Sequence, residues 1–363
     1  MTVREIYNLL CEKMPMKLAE SWDNPGFLVG EGEREVKKVL VALDITSEVA
    51  KEAIEGGYDL IVSHHPLIFS PLKRVTSDSP ISSIVLKLIK NDIAAICMHT
   101  NYDAANGGVG DALSAALGLK NVRKFGISHT DTFMKLCVFV PREDKAKLQD
   151  ALFHAGAGKL GDYSECSFST DGIGTFYPEE GANPYIGQKG ARENAEETKL
   201  EVILPKAKVS SVLSAMRAAH PYEEPAFDLY DIAYPKDEYA FCRIGEIDEC
   251  SFDDFARTVK SRLLCDGIRY VKCHDKVRTV AVGGGACASF ASEAKAMGAD
   301  VFVTGDMSYH NFLDAKEDGL SVIAAGHFQS ENVAIPPLAE MIRAFGDIEV
   351  KQSEVHESCE KFM

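Results

Sequence analysis

Two adjacent histidines, His64 and His65, follow an apolar run at residues 60–62 and precede Pro66. A packed core has no need of two imidazoles at the end of a strand, whereas neutral imidazole is the commonest protein metal ligand near neutral pH. The proline would stop the strand and fix the direction in which the chain leaves it. The pair therefore indicates a metal site at the carboxyl edge of a parallel sheet.

Similar polar side chains follow other predicted strands. The strands over residues 93–98, 300–303 and 320–324 are followed, respectively, by His99 with Asp103, by Asp306, and by His327 with Glu331. His327 and Glu331 are four residues apart and would share one face of a helix that starts there. His99 and Asp103 have the same spacing, although Asn101 and the glycines at 107 and 108 favour a loop.

Three imidazoles and two carboxylates at one sheet edge are too polar for a core without ions, because buried charges must be paired or must coordinate a metal. The set comprises His64, His65, His327, Asp103 and Glu331. Its mixed nitrogen and oxygen donors suit zinc, manganese, iron, nickel or cobalt rather than calcium or magnesium alone. Since these donors exceed the need of one tetrahedral zinc, we expect two ions ~3.5–4 Å apart that activate a water.

Each residue of this set also has a structural interpretation. His64 alone could be a satisfied core histidine, and Asp103 alone could be a turn residue. His327 and Glu331 could form a plain ion pair at a helix start. His99 is interpreted as a partner that orients a ligand rather than as a ligand itself.

Other sites for chemistry are less well supported. His99 and His310 are candidate proton relays. The triplet Gly283-Gly-Gly285 could hold an anion at a helix N-terminus, but it lacks the dinucleotide fingerprint and the P-loop lysine. No G-x-S-x-G elbow occurs, which disfavours a serine triad. The loop Trp22-Asp-Asn-Pro-Gly-Phe27 could cover the site or could fasten a loop to the core.

Composition bounds the class of protein. The 363 residues exceed one typical domain, and 46% hydrophobic with 26% charged residues is an ordinary globular balance. The net charge of −16 disfavours nucleic-acid binding. The ten cysteines form no C-x-x-C pair and are expected to be free in a reducing cytoplasm. No signal peptide or membrane span is expected, so the predicted location is cytoplasmic.

Strand-like and helix-like segments alternate at both ends of the chain, which predicts an α/β fold with two similar Rossmann-like halves. Residues 1–127 and 235–363 are predicted to form one discontinuous domain. The order β-α-β-β-α-β over residues 128–234 predicts an inserted α+β, ferredoxin-like domain. Within it, a hairpin is expected to turn at Asp171-Gly172, with a glycine-rich loop over residues 178–197 before the next strand.

Several segments resemble the GTP cyclohydrolase 1 type 2 homologues, also called Nif-three-like proteins. These segments are Ser21-Trp-Asp-Asn-Pro-Gly-Phe-Leu-Val-Gly30, His64-His-Pro-Leu-Ile-Phe69, His99-Thr-Asn-Tyr-Asp103, Thr304-Gly-Asp306 and Ala325-Gly-His-Phe-Gln-Ser-Glu331. Ala219-His-Pro-Tyr-Glu-Glu-Pro225 is similar to the insert of the longer members, which resembles PII-type and CutA-like metal-tolerance modules.

The resemblance implies a di-metal site made by His64, His65, Asp103, His327 and Glu331, with Glu331 as the bridge. It also implies a toroidal homohexamer whose openings are capped by the insert. The function expected is that of a metal-dependent hydrolase, in which a metal-activated water attacks a nucleotide-like, cyclic amide or phosphoester substrate. The alternative is a non-catalytic metal-handling or regulatory protein.

Overall fold

The computed structural model describes residues 1–363, except for the side chains of residues 234–236. The strands are β1 (Gly26–Val29), β2 (Lys38–Ala42), β3 (Leu60–Ser63), β4 (Ala94–Cys97), β5 (Lys120–Pro141), β6 (Ser167–Phe176), β7 (Glu193–Pro205), β8 (Phe227–Ser251), β9 (Arg269–Val271), β10 (Lys276–Gly283), β11 (Val301–Thr304), β12 (Ser321–Ala324) and β13 (Glu349–Gln352). The helices are α1 (Val3–Lys13), α2 (Ser47–Glu55), α3 (Pro80–Lys90), α4 (Thr100–Ala104), α5 (Val109–Leu117), α6 (Lys145–His154), α7 (Val209–Ala219), α8 (Phe252–Arg262), α9 (Ala291–Ala296), α10 (Tyr309–Glu317), α11 (His327–Asn332) and α12 (Ile335–Arg343).

The chain divides into two compact units. The first contains Met1–His129 and Tyr239–Met363, and the second contains Thr130–Glu238. Strands β5 and β8 carry the chain out of the first unit and back into it. The first unit is therefore assembled from two segments that are far apart in sequence.

One sheet of the first unit has the order β1-β4-β3-β2-β13. Strands β2, β3, β4 and β13 are parallel, and β1 is antiparallel to β4. Successive residues of β3 pack on opposite faces: Ile61 contacts the cluster that includes α2 and α3, whereas Leu60 and Val62 contact the cluster that includes α1 and α12. Helices thus cover both faces of this sheet, which explains why its central strands β3 and β4 are buried along their whole length.

The second sheet of the first unit continues from β8 in the order β8-β10-β11-β12-β9. Strands β10, β11 and β12 are parallel, and β8 and β9 are antiparallel flanking strands. Val301 and Val303 pack with residues of α5 and α8, whereas Phe302 between them packs with residues of α9 and α10. The first sheet therefore combines four adjacent parallel strands with one antiparallel neighbour, and the second combines three parallel strands with two antiparallel neighbours, in a mixed α/β fold.

In the second unit the elements follow the chain order β5-α6-β6-β7-α7-β8. The expected hairpin turn at Asp171-Gly172 is wrong, because β6 runs unbroken through both residues and pairs antiparallel with β7. Asp171 accepts a hydrogen bond of 2.7 Å from the hydroxyl of Thr198 on β7, so pairing between the strands overrides the local turn signal. The hairpin is instead formed by β6 and β7, and residues 177–192 connect them.

Thr46 caps α2, because its hydroxyl accepts from the Val49 amide. One local detail differs from expectation. His99 and Asp103 lie at a short helix, α4, and not in a loop. The cysteines of the described chain are free, as expected. Within the described residues, no helix is both long and apolar enough to cross a membrane.

Candidate metal centre

The two adjacent histidines extend the parallel pairing of β3 beyond its last residue. The amide of His64 donates to the carbonyl of Ala42, and the amide of His65 donates to that of Leu43. The Ser63 hydroxyl donates to the carbonyl of His65 at 2.8 Å and fixes the bend that follows. The backbone of both histidines is therefore fixed at the carboxyl edge of the first sheet.

Glu331 is the centre of the cluster. Its side chain is 5% exposed, and its Oε2 lies 2.9 Å from His65 Nε2, 3.0 Å from His327 Nε2 and 3.8 Å from His64 Nε2. Helix α11 begins at His327, so the spacing of four residues puts His327 and Glu331 on one face of that helix. A single carboxylate oxygen thus faces three imidazoles that come from both ends of the chain.

The remaining predicted residues are contributed by α4. Asp103 Oδ1 lies 3.5 Å from His64 Nε2, and the ring centroids of His99 and His64 are 5.3 Å apart. Metal-ligand atoms within 4.8 Å of one another form three overlapping groups: His64 with Asp103 and Glu331, His65 with His327 and Glu331, and His64 with His65 and His99. The structure thus brings the five predicted ligands and His99 together.

The imidazoles of the cluster are held at Nδ1 by oxygen acceptors. His64 Nδ1 donates to the carbonyl of Met98 at 2.9 Å. The other three donate to carboxylates, in the pairs His65–Asp44 at 2.7 Å, His99–Asp23 at 2.8 Å and His327–Asp306 at 2.7 Å. Holding Nδ1 in this way orients the ring and directs Nε2 into the cluster, as acceptors behind metal-ligating histidines do.

Two of these acceptors were missed from the sequence. Asp44 follows the end of β2, so the same strand-end signal that selected Asp306 could have found it. Asp23 belongs to the loop that contains Trp22, and its position behind His99 depends on a contact between residues 76 positions apart. No local sequence pattern predicts such a contact.

One observation in particular supports the binding of a divalent ion by this donor set. His64 is 1% exposed, and its Nε2 has no hydrogen-bond partner within the described part of the chain. Because Nδ1 carries the proton given to Met98, Nε2 has a lone pair directed towards Asp103 and Glu331. A buried acceptor with no donor costs free energy, and a metal ion would satisfy it.

The charges of the cluster are strongly coupled. Burial lowers the pKa of His64 to about 3. Burial would also lower the pKa of His65, but its hydrogen bonds with Asp44 and Glu331 raise it to about 9. Hydrogen bonds with Asp306 and Glu331 raise the pKa of His327 to about 11. His64 is therefore neutral, while His65 and His327 attract protons in the absence of any other cation.

The two carboxylates shift in opposite directions. Burial and the nearby charge of Glu331 raise the pKa of Asp103 well above its usual range. Burial would raise the pKa of Glu331 as well, but hydrogen bonds from His327 and His65 hold it below its usual range. Such opposed shifts in one cleft are typical of a functional site.

The glycine triplet makes room for this cluster. Gly285 has a φ of +54°, and a Cβ there would overlap Oε1 of Glu331. The carbonyl of Gly285 accepts from the amides of Gly305 and Asp306. The structural role of Gly285 is thus to admit the Glu331 carboxylate.

A cavity of about 400 Å³ opens beside the cluster and is lined by His99, Asp103, His327 and Glu331 together with aromatic side chains. Trp22 is 59% exposed and its ring lies 6.2 Å from that of His99. The Trp22 side chain therefore borders the cavity, whereas Asp23 of the same loop fastens the loop to His99 and Thr100. His310 lies on the exposed start of α10, outside the ligand groups and the cavity lining found among the described residues.

Comparison with known proteins identifies relatives that match most of the chain. A curated relative from Bacillus subtilis (strain 168), named GTP cyclohydrolase 1 type 2 homolog, is 40% identical over 327 residues, which cover 90% of this chain and 88% of the relative. A relative of the same name from Halalkalibacterium halodurans is 42% identical over 315 residues, which cover 86% of this chain and 85% of the relative.

Solved structures extend the likeness to the whole chain. A Bacillus cereus protein related to NIF3 is 39% identical with a TM-score of 0.86, and the match covers 100% of this chain and 99% of that protein. Staphylococcus aureus protein SA1388 is 32% identical with a TM-score of 0.83, and the match covers the same shares of the two chains. The family model described as Duf34/NIF3 (NGG1p interacting factor 3) matches residues 1–359. The resemblance found in the sequence motifs is thus confirmed, and the chain belongs to the Duf34/NIF3 family.

Proposed function

We propose that this protein is a metal-dependent hydrolase with a dinuclear centre formed by His64, His65, Asp103, His327 and Glu331. The observation that carries the proposal is the convergence of imidazoles on one buried carboxylate, beside a buried His64 Nε2 that has no other partner. Two overlapping donor groups share Glu331, which supports two ions with Glu331 between them. Zinc, iron, manganese, nickel and cobalt all match the donor types.

The two ions, when bound, would lower the pKa of a water molecule and polarise an electrophile. The chain supplies the geometry for this chemistry. Asp44 and Asp306 hold the rings of His65 and His327 in one orientation, and the carbonyl of Met98 does the same for His64. These positioning contacts leave the Nε2 atoms directed into the cluster and prevent ring rotation.

His99 is the residue placed to move a proton. Its Nδ1–H is held by Asp23, whose carboxylate also accepts from the amide and hydroxyl of Thr100. Burial would raise the pKa of Asp23, but these hydrogen bonds lower it to about 2, so the carboxylate remains charged. His99 Nε2 is then available as a general base in the cavity, with Asp23 stabilising the imidazolium.

The cavity favours a planar heterocyclic substrate. Trp22, Phe69, Phe241 and Phe290 provide aromatic walls, and the described residues of the lining include no Lys or Arg. A ring could stack on these side chains, whereas a phosphate group would have to rely on the ions for positive charge. Hydrolysis of a C–N bond in a nucleotide-like or cyclic amide substrate fits this lining, and GTP is the first compound to test because of the name of the curated relatives.

The test compares metal content with turnover. Protein stripped by a chelator is reloaded with each of the five metals, and bound metal is counted by mass spectrometry. Activity is then measured against GTP and a panel of cyclic amides and phosphoesters. We expect two ions per chain and metal-dependent turnover that His65→Ala abolishes, while the exposed His310→Ala changes neither quantity.

Turnover that is unchanged in His65→Ala would disprove the hydrolase. Reversible binding of two ions without turnover of any compound would instead favour the metal-handling alternative. Fewer than two ions under saturating conditions would contradict the dinuclear centre itself.

The finer architecture is part of the same proposal. We propose that the two sheets of the first unit are Rossmann-like halves of one domain with boundaries near residues 127 and 235. The second unit would be a ferredoxin-like insert, which its β-α-β-β-α-β order supports. Family likeness further suggests a homohexamer. Light scattering on the purified protein tests this assembly, and any other mass would refute it.

A further inference from the structure

The second unit contains a cavity of about 370 Å³, which lies between the loop over residues 177–192 and the segment His220-Pro-Tyr-Glu-Glu-Pro225. A volume of this size is typical of small-ligand sites. The amide of Asn183 in the loop donates to Glu223 Oε1 at 2.8 Å and ties the loop to that segment. The cavity is separate from the candidate metal centre, whose residues all belong to the first unit.

Aromatic rings form one wall of this cavity. The ring centroid of Tyr222 lies 6.1 Å from that of Phe176 at an interplanar angle of 60°, and 6.2 Å from that of Tyr185 at 53°. Since the rings are tilted rather than stacked, their faces are not fully used by one another. Aromatic faces arranged around a cavity attract cations through the ring quadrupole.

A buried carboxylate also lines the cavity. Glu197 on β7 lines the cavity and is only 8% exposed. A Cβ at position 174, on the neighbouring strand β6, would overlap the Glu197 carboxylate, so Gly174 provides the space for it. Nearby basic side chains are bound elsewhere: Arg142 to Asp171 and Glu196, and Lys199 to Glu201.

A polar group lies beside this carboxylate. The hydroxyl oxygen of Tyr222 is buried, and Glu197 is the carboxylate that it faces. Burial and the adjacent Glu197 carboxylate both raise the pKa of this phenol. A neutral phenol does not balance the charge of a buried carboxylate, which is costly unless an occupant supplies positive charge.

The side chains that line the cavity indicate the charge and the chemical class of a ligand that could bind there. Its described residues include Glu197, Glu223 and Glu224 but no Lys, Arg or His, which excludes an anionic ligand on electrostatic grounds. A metal ion would need several converging donors, and the groups of such donors among the described residues all lie in the first unit. We propose that this cavity binds a small organic cation, with its ammonium group between Glu197 and the Tyr222 ring.

The experiment uses the full-length protein and choline as the probe. Calorimetric titration with choline is compared with titration with its neutral isostere, in which carbon replaces the ammonium nitrogen. We expect saturable choline binding, with the isostere weaker by about tenfold or more because it lacks the charge. Glu197→Gln, which removes the charge and keeps the shape, should weaken choline by a similar factor.

Glu196→Gln is the matched control, because Glu196 neighbours Glu197 on the same strand but is exposed and paired with Arg142. It should bind choline as the unmodified protein does. Equal binding of choline and the isostere would overturn the proposal, as would absence of saturable choline binding or full affinity in Glu197→Gln. The ligand comparison uses the unmodified protein, so it decides the matter even where Glu197→Gln does not fold. Metal content should be unchanged by Glu197→Gln, which separates this test from that of the hydrolase.

Discussion

The Glu331 carboxylate occupies the space that a side chain at Gly285 would fill. Gly285 follows β10, whereas Glu331 lies on α11, and a Cβ at position 285 would overlap Oε1 of Glu331. Since Oε2 of the same carboxylate faces His65 and His327, any displacement of Glu331 is transmitted to both imidazoles. The centre thus depends on the absence of one methyl group.

Gly285→Ala is therefore expected to reduce metal content to near zero while the protein remains folded. Mass spectrometry of the bound metal and circular dichroism measure the two effects. Gly161→Ala is a matched control, because Gly161 has a similar φ of +57° but open space where a Cβ would be. It carries the same backbone strain, about 1–2 kcal/mol, without the overlap. Equal metal loss in the two variants would show that strain rather than overlap is responsible.

Asp44 holds His65 at Nδ1, so Asp44→Ala should free the ring to rotate. Loss of such an orienting acceptor typically weakens metal binding by ~10–100-fold. Competition with a chromophoric chelator measures the affinity. Asp318→Ala, at the exposed end of α10, should leave the affinity unchanged. An unaltered affinity in Asp44→Ala would mean that His65 is held by other contacts.

Arg243 on β8 and Asp111 on α5 form a largely buried ion pair. Arg243 is 1% exposed, and its guanidinium donates to both carboxylate oxygens of Asp111 at 2.6 and 2.8 Å. Asp111→Ala leaves a buried cation without its carboxylate. We expect a loss of roughly 2–4 kcal/mol in the free energy of unfolding, less than for a fully buried pair because Asp111 retains solvent contact.

Glu55→Ala is the comparison for that variant, since the Lys51–Glu55 pair is exposed on both sides. Its loss should stay below about 0.5 kcal/mol. Urea denaturation of both variants gives the two values. Similar small losses would mean that Arg243 is satisfied by the carbonyls of Ala240 and Cys242 alone.

The same pair predicts a dependence of stability on pH. Burial would raise the pKa of Asp111, but hydrogen bonds from Arg243 lower it below its usual value. A carboxyl group whose pKa is lower in the folded than in the unfolded protein stabilises the fold at any pH above its unfolded-state pKa, about 3.9. This contribution is lost as the pH falls through the folded-state pKa. The stability difference between the unmodified protein and Asp111→Asn should be constant from neutral pH down to about 5 and should shrink below about 4. A difference that grew in acid would contradict this sign.

The predictable parts of the fold are those that depend on local sequence patterns. Apolar, β-branched runs such as residues 60–62 and 301–303 located the central strands, because a strand buried on both faces has few alternatives. The polar residues that follow the strand ends then identified a set of candidate ligands, which the structure brings together: His64, His65, Asp103, His327 and Glu331.

The parts that were missed depend on partners distant in sequence. Nothing near Glu349 indicates that β13 completes the first sheet by pairing with β2. The turn signal at Asp171-Gly172 was overridden by pairing of β6 with β7. Asp23 and Asp44 act through His99 and His65, so their roles appear only when those rings are positioned.

The division of the first unit has a consequence for biosynthesis. A ribosome releases the chain from its amino end, so Thr130–Glu238 is complete and free to fold while Tyr239–Met363 is still untranslated. Until Tyr239–Met363 has been translated, His64 and His65 lack Glu331, and β2 lacks β13 at its edge. An unpaired edge strand invites association with other chains. Chains that end before Glu331 are thus exposed to aggregation, and the donor cluster is complete only after Glu331 has been translated.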